Sequence, residues 1–515
     1  MSIETELMAA VAAEQWERVH ELVGAHWGEL TNNHRETLVA AMSALPPHVL
    51  ASMPRYAASK AYGEFIPAGG PTRSTRFNSP EAAPRALIDY LSILTARSAA
   101  ARMRGRHALA VSAAREARVM LDDATPAARA EIASVLADLK VQWGIALLLA
   151  GDFEQAFGEF SAAYDSAIAA GNRRMTVEAA GDCALVLALQ GLAPAASDWI
   201  ARIPAIDDDP SDTVADSGHI ATALVAIDTG DHDRAALAIE RFRSSTVEVD
   251  HWAIRRFTVS RFAATFESDP LAALSMLAAT RAEYTQRERT TGINGALLVL
   301  AEAELRLLTG DLDTAETALA RHRRTVVPAF ANALTVMTAR VAASGGHRNR
   351  ARRLAGSVMA NDPLPRDGAT ALLLSASLDA STTTEPPTLT SALRLMTEFG
   401  LTTVAATIPL DVWTSFSTRA PSPIAVPGTV VFGARHPDAA PTLSRREAIV
   451  LRAASGGMTV PEIAAAEQVS PHTVKKQLLS AYHKLGVSNR HDAIAALAAS
   501  PWLLATVPDG ENATD

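Results

Sequence analysis

The chain has 515 residues, 48% of them hydrophobic and 20% charged, with a net charge of −9. That length exceeds one hydrophobic core. The composition excludes wholesale disorder, and no apolar run approaches the ~20 residues that cross a bilayer, so a soluble chain without membrane spans is expected. A single cysteine, Cys183, excludes an internal disulfide or a cysteine-rich metal site and fits a reducing cytoplasm.

Aromatic residues make up only 5%, while the strong helix formers Ala and Leu dominate, which predicts an all-α protein. The first residues, Met1 to Glu6, are acidic and do not read as a signal peptide. Glu14–Trp27 and Leu38–Met42 read as helices, and residues 67–84, rich in Gly, Pro, Ser, Thr and Asn, as an extended loop. Runs at Ile145–Ala150 and Ala296–Ala301 are short and read as buried helix segments. Cys183, inside an apolar run, reads as a small buried hydrophobe, and Trp143, Trp199, Trp252 and Tyr284 as core packing.

A weak repeat runs through this part. Gly, often followed by Asp, precedes a helix that carries Ala five positions after the Gly: Gly151/Ala156, Gly230/Ala235 and Gly310/Ala315, with looser copies at Gly191/Ala196 and Gly346/Ala351. A turn with Ser268 in place of Gly, followed by Ala273, fills the wide gap in the series. Gly closes one helix in a left-handed cap, a short acidic residue opens the next, and Ala lets the two approach. Helical pairs that cannot bury their apolar faces alone must stack, so the expected fold is an α-solenoid of helical hairpins followed by a small four-helix domain. The repeat resembles tetratricopeptide-type repeats, with a period nearer forty and without most of their Trp and Tyr positions. Such arrays offer a concave surface to a small molecule, a peptide or a protein. Residues 380–390 read as a second break. The expected division is 1–419 helical repeats, 420–441 a Pro-rich linker, 442–501 the small domain and 502–515 a tail.

Residues 442–500 carry seven cations against four anions, a net of +3, which leaves −12 for the rest of the chain. Of five lysines, Lys475, Lys476 and Lys484 fall on one predicted helix. Four short helices have start signals. Ser444 with Glu447, and Thr459 with Glu462, form capping boxes. Ser470-Pro471 is an N-cap followed by Pro at the first helical position, and the fourth helix begins near Asn489 with Asp492. On the third, Val474, Leu478, Ala481 and Leu485 share one face. His472, Lys475, Lys476, Leu479 and His483 share the other, with Thr473, Gln477 and Lys484 on a flank. A basic helix of ~15 residues beside a shorter one has the form of a recognition helix for the DNA major groove.

The segment resembles the LuxR-type helix-turn-helix domain, through Leu443 to Glu447, Val450-Leu451, Gly457, Glu462 to Ala464, Val469-Ser470, Thr473 to Lys475, Leu478, Tyr482, Lys484 to Val487, Ser488, Arg490 and Ala493. The resemblance implies that Lys475, Lys476 and Leu479 face bases, and that His472, Thr473 and Lys484 lie near the backbone. The full candidate DNA-binding set is Thr459, His472, Thr473, Lys475, Lys476, Gln477, Leu479, His483, Lys484 and Arg490. It implies that helix four, through Ala493, Ala496 and Leu497, lies where such domains pair as homodimers. The sequence departs from the family at Glu467, Gln477 and Val460-Pro461.

No phosphate-binding Gly-x-x-x-x-Gly-Lys-Ser/Thr loop appears, so the ATPase module of the large maltose-regulator-like members is missing. No catalytic constellation, metal cluster or cofactor motif is present, and an enzyme is not expected. The expectation is a bacterial, ligand- or partner-responsive transcriptional regulator that binds double-stranded DNA. The alternative is an interaction scaffold whose acidic helical array is the working surface.

Overall fold

The structure is a computed structural model. It describes residues 2–26, 29–30, 34–51, 86–203, 216–243, 250–267, 270–283, 291–322, 327–379, 387–417, 424–432 and 445–485, together with 487, 489, 490, 492 and 493. The described residues are α-helical with 3-10 turns and contain no strand. No helix among them is long and apolar enough to cross a membrane. The expected loop at 67–84, Tyr284, and most of helix four lie outside the described residues.

Three helices, α1 (Ile3–Ala12), α2 (Trp16–Ala25) and α3 (Arg35–Ala44), enclose a small core around Leu7, Leu22, Leu38 and Met42. The sequence reading began a helix at Glu14. Instead, Glu14 adopts φ +53° in the turn between α1 and α2, and the helix preceding it was missed.

Among the described residues, eight helical pairs follow: α4 (Leu87–Met103) with α5 (His107–Asp122), α6 (Leu136–Ala150) with α7 (Phe153–Ala169), α8 (Arg173–Leu189) with α9 (Ala193–Ile200), and α10 (Asp216–Thr229) with α11 (His232–Arg243). The chain continues with α12 (Trp252–Phe266) and α13 (Pro270–Glu283), α14 (Gly292–Thr309) and α15 (Leu312–His322), α16 (Ala331–Ser344) and α17 (Arg348–Met359), and α18 (Pro365–Asp379) and α19 (Pro387–Phe399). The second break was expected to reach residue 390, but Pro387 already opens α19; residues 380–386 lie outside the described residues.

The turn chemistry is that of the repeat. Gly151, Gly191, Gly230, Gly310 and Gly346 all have positive φ. The Asp152 carboxylate accepts from the Gln155 N–H at 3.3 Å, and Asp231 and Asp311 cap their helices likewise. Ala156, Ala196, Ala235, Ala315 and Ala351 are fully buried where the paired helices meet. The same device recurs at Gly105 with Ala110, a copy the sequence reading missed.

The first helix of each pair packs on the first helix of the next, from α4 to α18, in an unbroken row. These helices are buried around most of their circumference. In α14 every residue from Ile293 to Ala303 is buried, as are Ile145 to Leu149 of α6. A helix apolar on all sides belongs in an interior, so both short runs are core segments. The second helices form the amphipathic outer layer.

The row curls until α6 touches α14, four pairs further along. A Cβ on Gly151 would overlap Val327, and one on Gly292 would overlap the Leu149 carbonyl and the His107 ring. The Thr291 hydroxyl donates to the Gly105 carbonyl at 2.7 Å. The expected open concave surface is therefore replaced, along this part of the array, by a filled axis. Bulky side chains pack into it, through a core that includes Leu185 and Leu297 of the first helices and Phe160 of α7. Trp143, Trp199 and Trp252 are core residues, and Cys183 is fully buried, with burial pushing its thiol up.

A final helix, α20 (Leu410–Ser417), follows the 3-10 turn Thr402–Thr407. Residues 424–432, expected to be linker, lie on the array. Val430 is buried, the Val431 N–H donates to the Thr265 carbonyl at 2.8 Å, and Ile424, Val426 and Phe432 pack against the core around Trp413.

Candidate nucleic-acid interface

The small domain contains α21 (Arg445–Ser455), α22 (Val460–Ala466) and α23 (Pro471–Leu485). Its core comprises Ala448, Leu451 and Ala454 of α21, Ile463 and Ala464 of α22, Val474, Leu478 and Ala481 of α23, and Ala493. α21 ends at Gly456-Gly457, with Gly457 at φ +97° in the left-handed cap a glycine accepts without strain.

α22 starts at Thr459, whose N–H and hydroxyl both donate to Glu462 Oε2, at 2.7 and 2.8 Å. These bonds, the backbone one foremost, hold the Glu462 carboxyl below its ordinary range. Thr459 is exposed at the helix start, with its hydroxyl proton committed to Glu462. The turn into α23 runs through Gln468 at φ +54°, where the Val469 N–H donates to the Ala464 carbonyl. Ser470 then caps α23, accepting from the Thr473 N–H at 3.1 Å.

On α23, Val474, Leu478 and Ala481 are buried, as the 3.6-residue period requires. His472, Lys475 and Lys476 are exposed on the other side, and Thr473 and Gln477 are half-buried on the flank. Leu479 is 66% exposed, the highest exposure among the exposed large hydrophobic residues described. Neither lysine makes a hydrogen bond or ion pair with a described residue, so the cationic face is not consumed by the fold. The backbone places His483 and Lys484 on the same helix; their side chains lie outside the described residues.

Two polar contacts fix the helices to one another. The Ser480 hydroxyl donates to the buried Glu447 Oε1 at 2.7 Å, tying α23 to α21. Sequence reasoning placed Glu447 in a capping box with Ser444, which lies outside the described residues, and missed this contact. Arg490 is half-buried, and its guanidinium donates to the Ala454 carbonyl near the end of α21, where a cation is favoured. The structure thus brings together His472, Lys475, Lys476 and Leu479, and gives Thr459 and Arg490 partners inside the domain. Ala493, expected on a pairing face, is fully buried in the domain's own core and offers no surface to a second copy. Ala496 and Leu497 lie outside the described residues.

No group of His, Cys, Asp and Glu among the described residues could hold a metal ion. Compared with known families, residues 441–497 match the one described as "Bacterial regulatory proteins, luxR family". Among curated proteins, the chain is similar to the "Probable transcriptional regulatory protein NarL" of two Mycobacterium tuberculosis strains, CDC 1551 / Oshkosh and ATCC 25618 / H37Rv. Each is 48% identical over 56 residues, which are 11% of this chain and 26% of the relative. The chain thus spans about a quarter of the length of the curated relatives it matches. Through α21, α22 and α23, the chain carries a helix-turn-helix domain of the luxR family at residues 441–497.

Proposed function

We propose that this chain is a sequence-specific DNA-binding transcriptional regulator whose helical array senses a ligand or a protein partner. One observation carries the reading: a family helix-turn-helix domain presents Lys475, Lys476 and Leu479 on the exposed side of α23 while Val474, Leu478 and Ala481 anchor the opposite side. A helix about 10–12 Å across fits the major groove, about 12 Å wide in B-DNA. Lys475 and Lys476 then meet base acceptors or phosphates, and Leu479 meets an apolar thymine methyl. His472 and Thr473 lie at the start of α23, where free N–H groups and the positive dipole end favour phosphate. Gln477, His483 and Lys484 extend the face along the helix. Thr459 and Ser470 fix the starts of α22 and α23. Pairing of two copies through the segment containing Ala496 and Leu497 gives a two-fold-related DNA site.

The test is selection of bound fragments from sheared genomic DNA at near-physiological salt, using the full chain and the double variant Lys475→Ala/Lys476→Ala. A discrete motif enriched by the parent and lost with the variant is the expected result. The same motif enriched equally by both proteins overturns the assigned face. No enrichment with the parent favours the interaction scaffold.

A further inference from the structure

A cavity of about 120 Å³ lies inside the array, where α12, α14, α16 and α18 converge on the turn Thr402–Thr407 and on Val431. A cavity of about 150 Å³ takes benzene, so the space is of the order of a small organic molecule. Phe257, Leu300, Phe330 and Met337 supply apolar wall.

The polar wall carries three guanidinium groups, on Arg261, Arg340 and Arg366, and the carboxylates of Glu304 and Asp367. Arg366 is fully used. It donates to both oxygens of the buried Asp228, at 3.0 and 2.5 Å, and to the carbonyls of Ala188 and Leu189. Arg261 gives one nitrogen to Asp228 at 3.1 Å, and Arg340 gives one to Glu304 at 3.0 Å. Two donors are left over. Arg261 Nη1 and Arg340 Nε are buried and have no hydrogen-bond acceptor. The Arg340 side chain is 9% exposed and that of Arg261 12%.

Orphaned donors on a charged group are costly. Two of them, on α12 and α16 either side of α14 and both on residues that line one cavity, call for an acceptor supplied from outside the chain. The charges themselves are close to balance: Asp228 and Glu304 are held ionised by the guanidinium groups, and Asp367, pushed up by burial to about 6, is still mostly ionised near neutrality, so the unpaired donors and not a charge excess mark the site.

We propose that this cavity binds a small carboxylate with an apolar body, its oxygens accepting from Arg261 and Arg340 and its body lying against Phe257, Leu300 and Met337. Val431 forms part of the wall and is held by the Thr265 carbonyl, itself in the cavity wall, so an occupant touches the segment that leads to the DNA-binding domain. That regulatory consequence rests on the reading of the chain as a DNA-binding regulator; the binding site does not.

The test is calorimetric titration of the full chain with benzoate, phenylacetate and 4-methylpentanoate, against the matching uncharged amides and inorganic phosphate. Arg340→Lys keeps a cation beside Glu304 but removes Nε, and Ala333→Phe fills the cavity without altering its charges. At least one carboxylate is expected to bind about tenfold more tightly than its amide, with about a tenfold loss in each variant whose melting temperature matches the parent. The proposal is overturned by binding of none of the three carboxylates, by equal binding of the amides, by phosphate binding alone, or by undiminished affinity in both folded variants. DNA affinity measured with and without the bound carboxylate separates the two readings. Carboxylate binding with unchanged DNA affinity leaves the site and removes the regulatory link. A parent that binds no DNA removes the proposed function, and the calorimetry still decides the site.

Discussion

Arg102 and Asp250, 148 residues apart, meet in a two-pronged ion pair, Nε to Oδ1 and Nη2 to Oδ2, both at 2.9 Å. The Arg102 side chain is fully buried, and the pair ties α4 to the residues that open α12. Burial alone would raise the Asp250 carboxyl, but the charge and hydrogen bonds of Arg102 outweigh it and hold it below the usual range. Arg102→Ala strands a buried carboxylate and is expected to cost about 3–5 kcal/mol in urea unfolding. Removing Arg18, 48% exposed in its pair with Glu6, should cost far less, because solvent screens an exposed pair. Equal costs would mean that closure of the array contributes nothing.

Gly151 and Gly171 share a left-handed backbone, but only Gly151 faces a neighbour that a Cβ would overlap; at Gly171 nothing lies within 4 Å. Gly171→Ala is expected to cost the backbone strain alone, about 1–2 kcal/mol. Gly151→Ala should cost distinctly more, because Val327 must move. Chemical denaturation of the two variants side by side reads the difference directly.

Asp182 is almost completely buried beside Ser217, and burial, reinforced by Glu178, raises its carboxyl well above the ordinary range. With the folded value raised, the folded state holds the proton more tightly than the unfolded chain. This residue therefore costs stability as pH rises from the unfolded value of about 3.9 towards the folded one. Asp182→Asn is expected to melt several degrees higher than the parent at pH 8 and to show little difference at pH 4. A gain that is the same at both values would rule out ionisation as the cause.

Glu447 carries little exposed surface and accepts from Ser480 across the helix-turn-helix domain. Glu447→Ala should destabilise that domain by about 1–3 kcal/mol, with Glu447→Gln retaining much of the loss-prone contact. DNA affinity measured well below the melting point should fall far less than stability, since Glu447 points inward. An affinity loss with intact stability would instead place Glu447 at the DNA.

Leu479 is exposed and makes no core contact that stability would miss. Leu479→Ala is expected to leave the unfolding free energy within about 0.5 kcal/mol of the parent's. It should weaken the selected DNA site by about 1–2 kcal/mol, roughly five- to thirtyfold, and relax preference at one base pair. Unchanged selectivity would remove Leu479 from the reading face.

The local chemistry of this fold was legible in the sequence where short-range rules govern it. Gly151 with Asp152 and Ala156, and Ser470 with Pro471 and Thr473, contain their own turn, cap and packing signals within a few residues. The division of α23 into a Val474–Leu478–Ala481 side and a Lys475–Lys476–Leu479 side follows from helical period alone. The filled axis did not follow, because it depends on Val327 meeting Gly151 and on Thr291 meeting Gly105, pairings that no local pattern encodes. Its one trace was the all-round apolar character of Ile145–Ala150 and Ala296–Ala301. The cavity was equally hidden, since Arg261, Arg340 and Arg366 read one by one as ordinary helix cations. Arg490 illustrates a further limit: a family match locates the residue, but only the fold shows its guanidinium turned to the Ala454 carbonyl.

The contact between α6 and α14 bears on how such a chain can change over time. An open stack of hairpins behaves as a one-dimensional chain of neighbours, so a unit can be added or dropped at the cost of one interface. Here, removing any pair between α6 and α14 also shifts Gly151 away from Val327 and Gly105 away from Thr291. Melting should then proceed across these pairs as one cooperative event, and their number is fixed by the geometry of a ring.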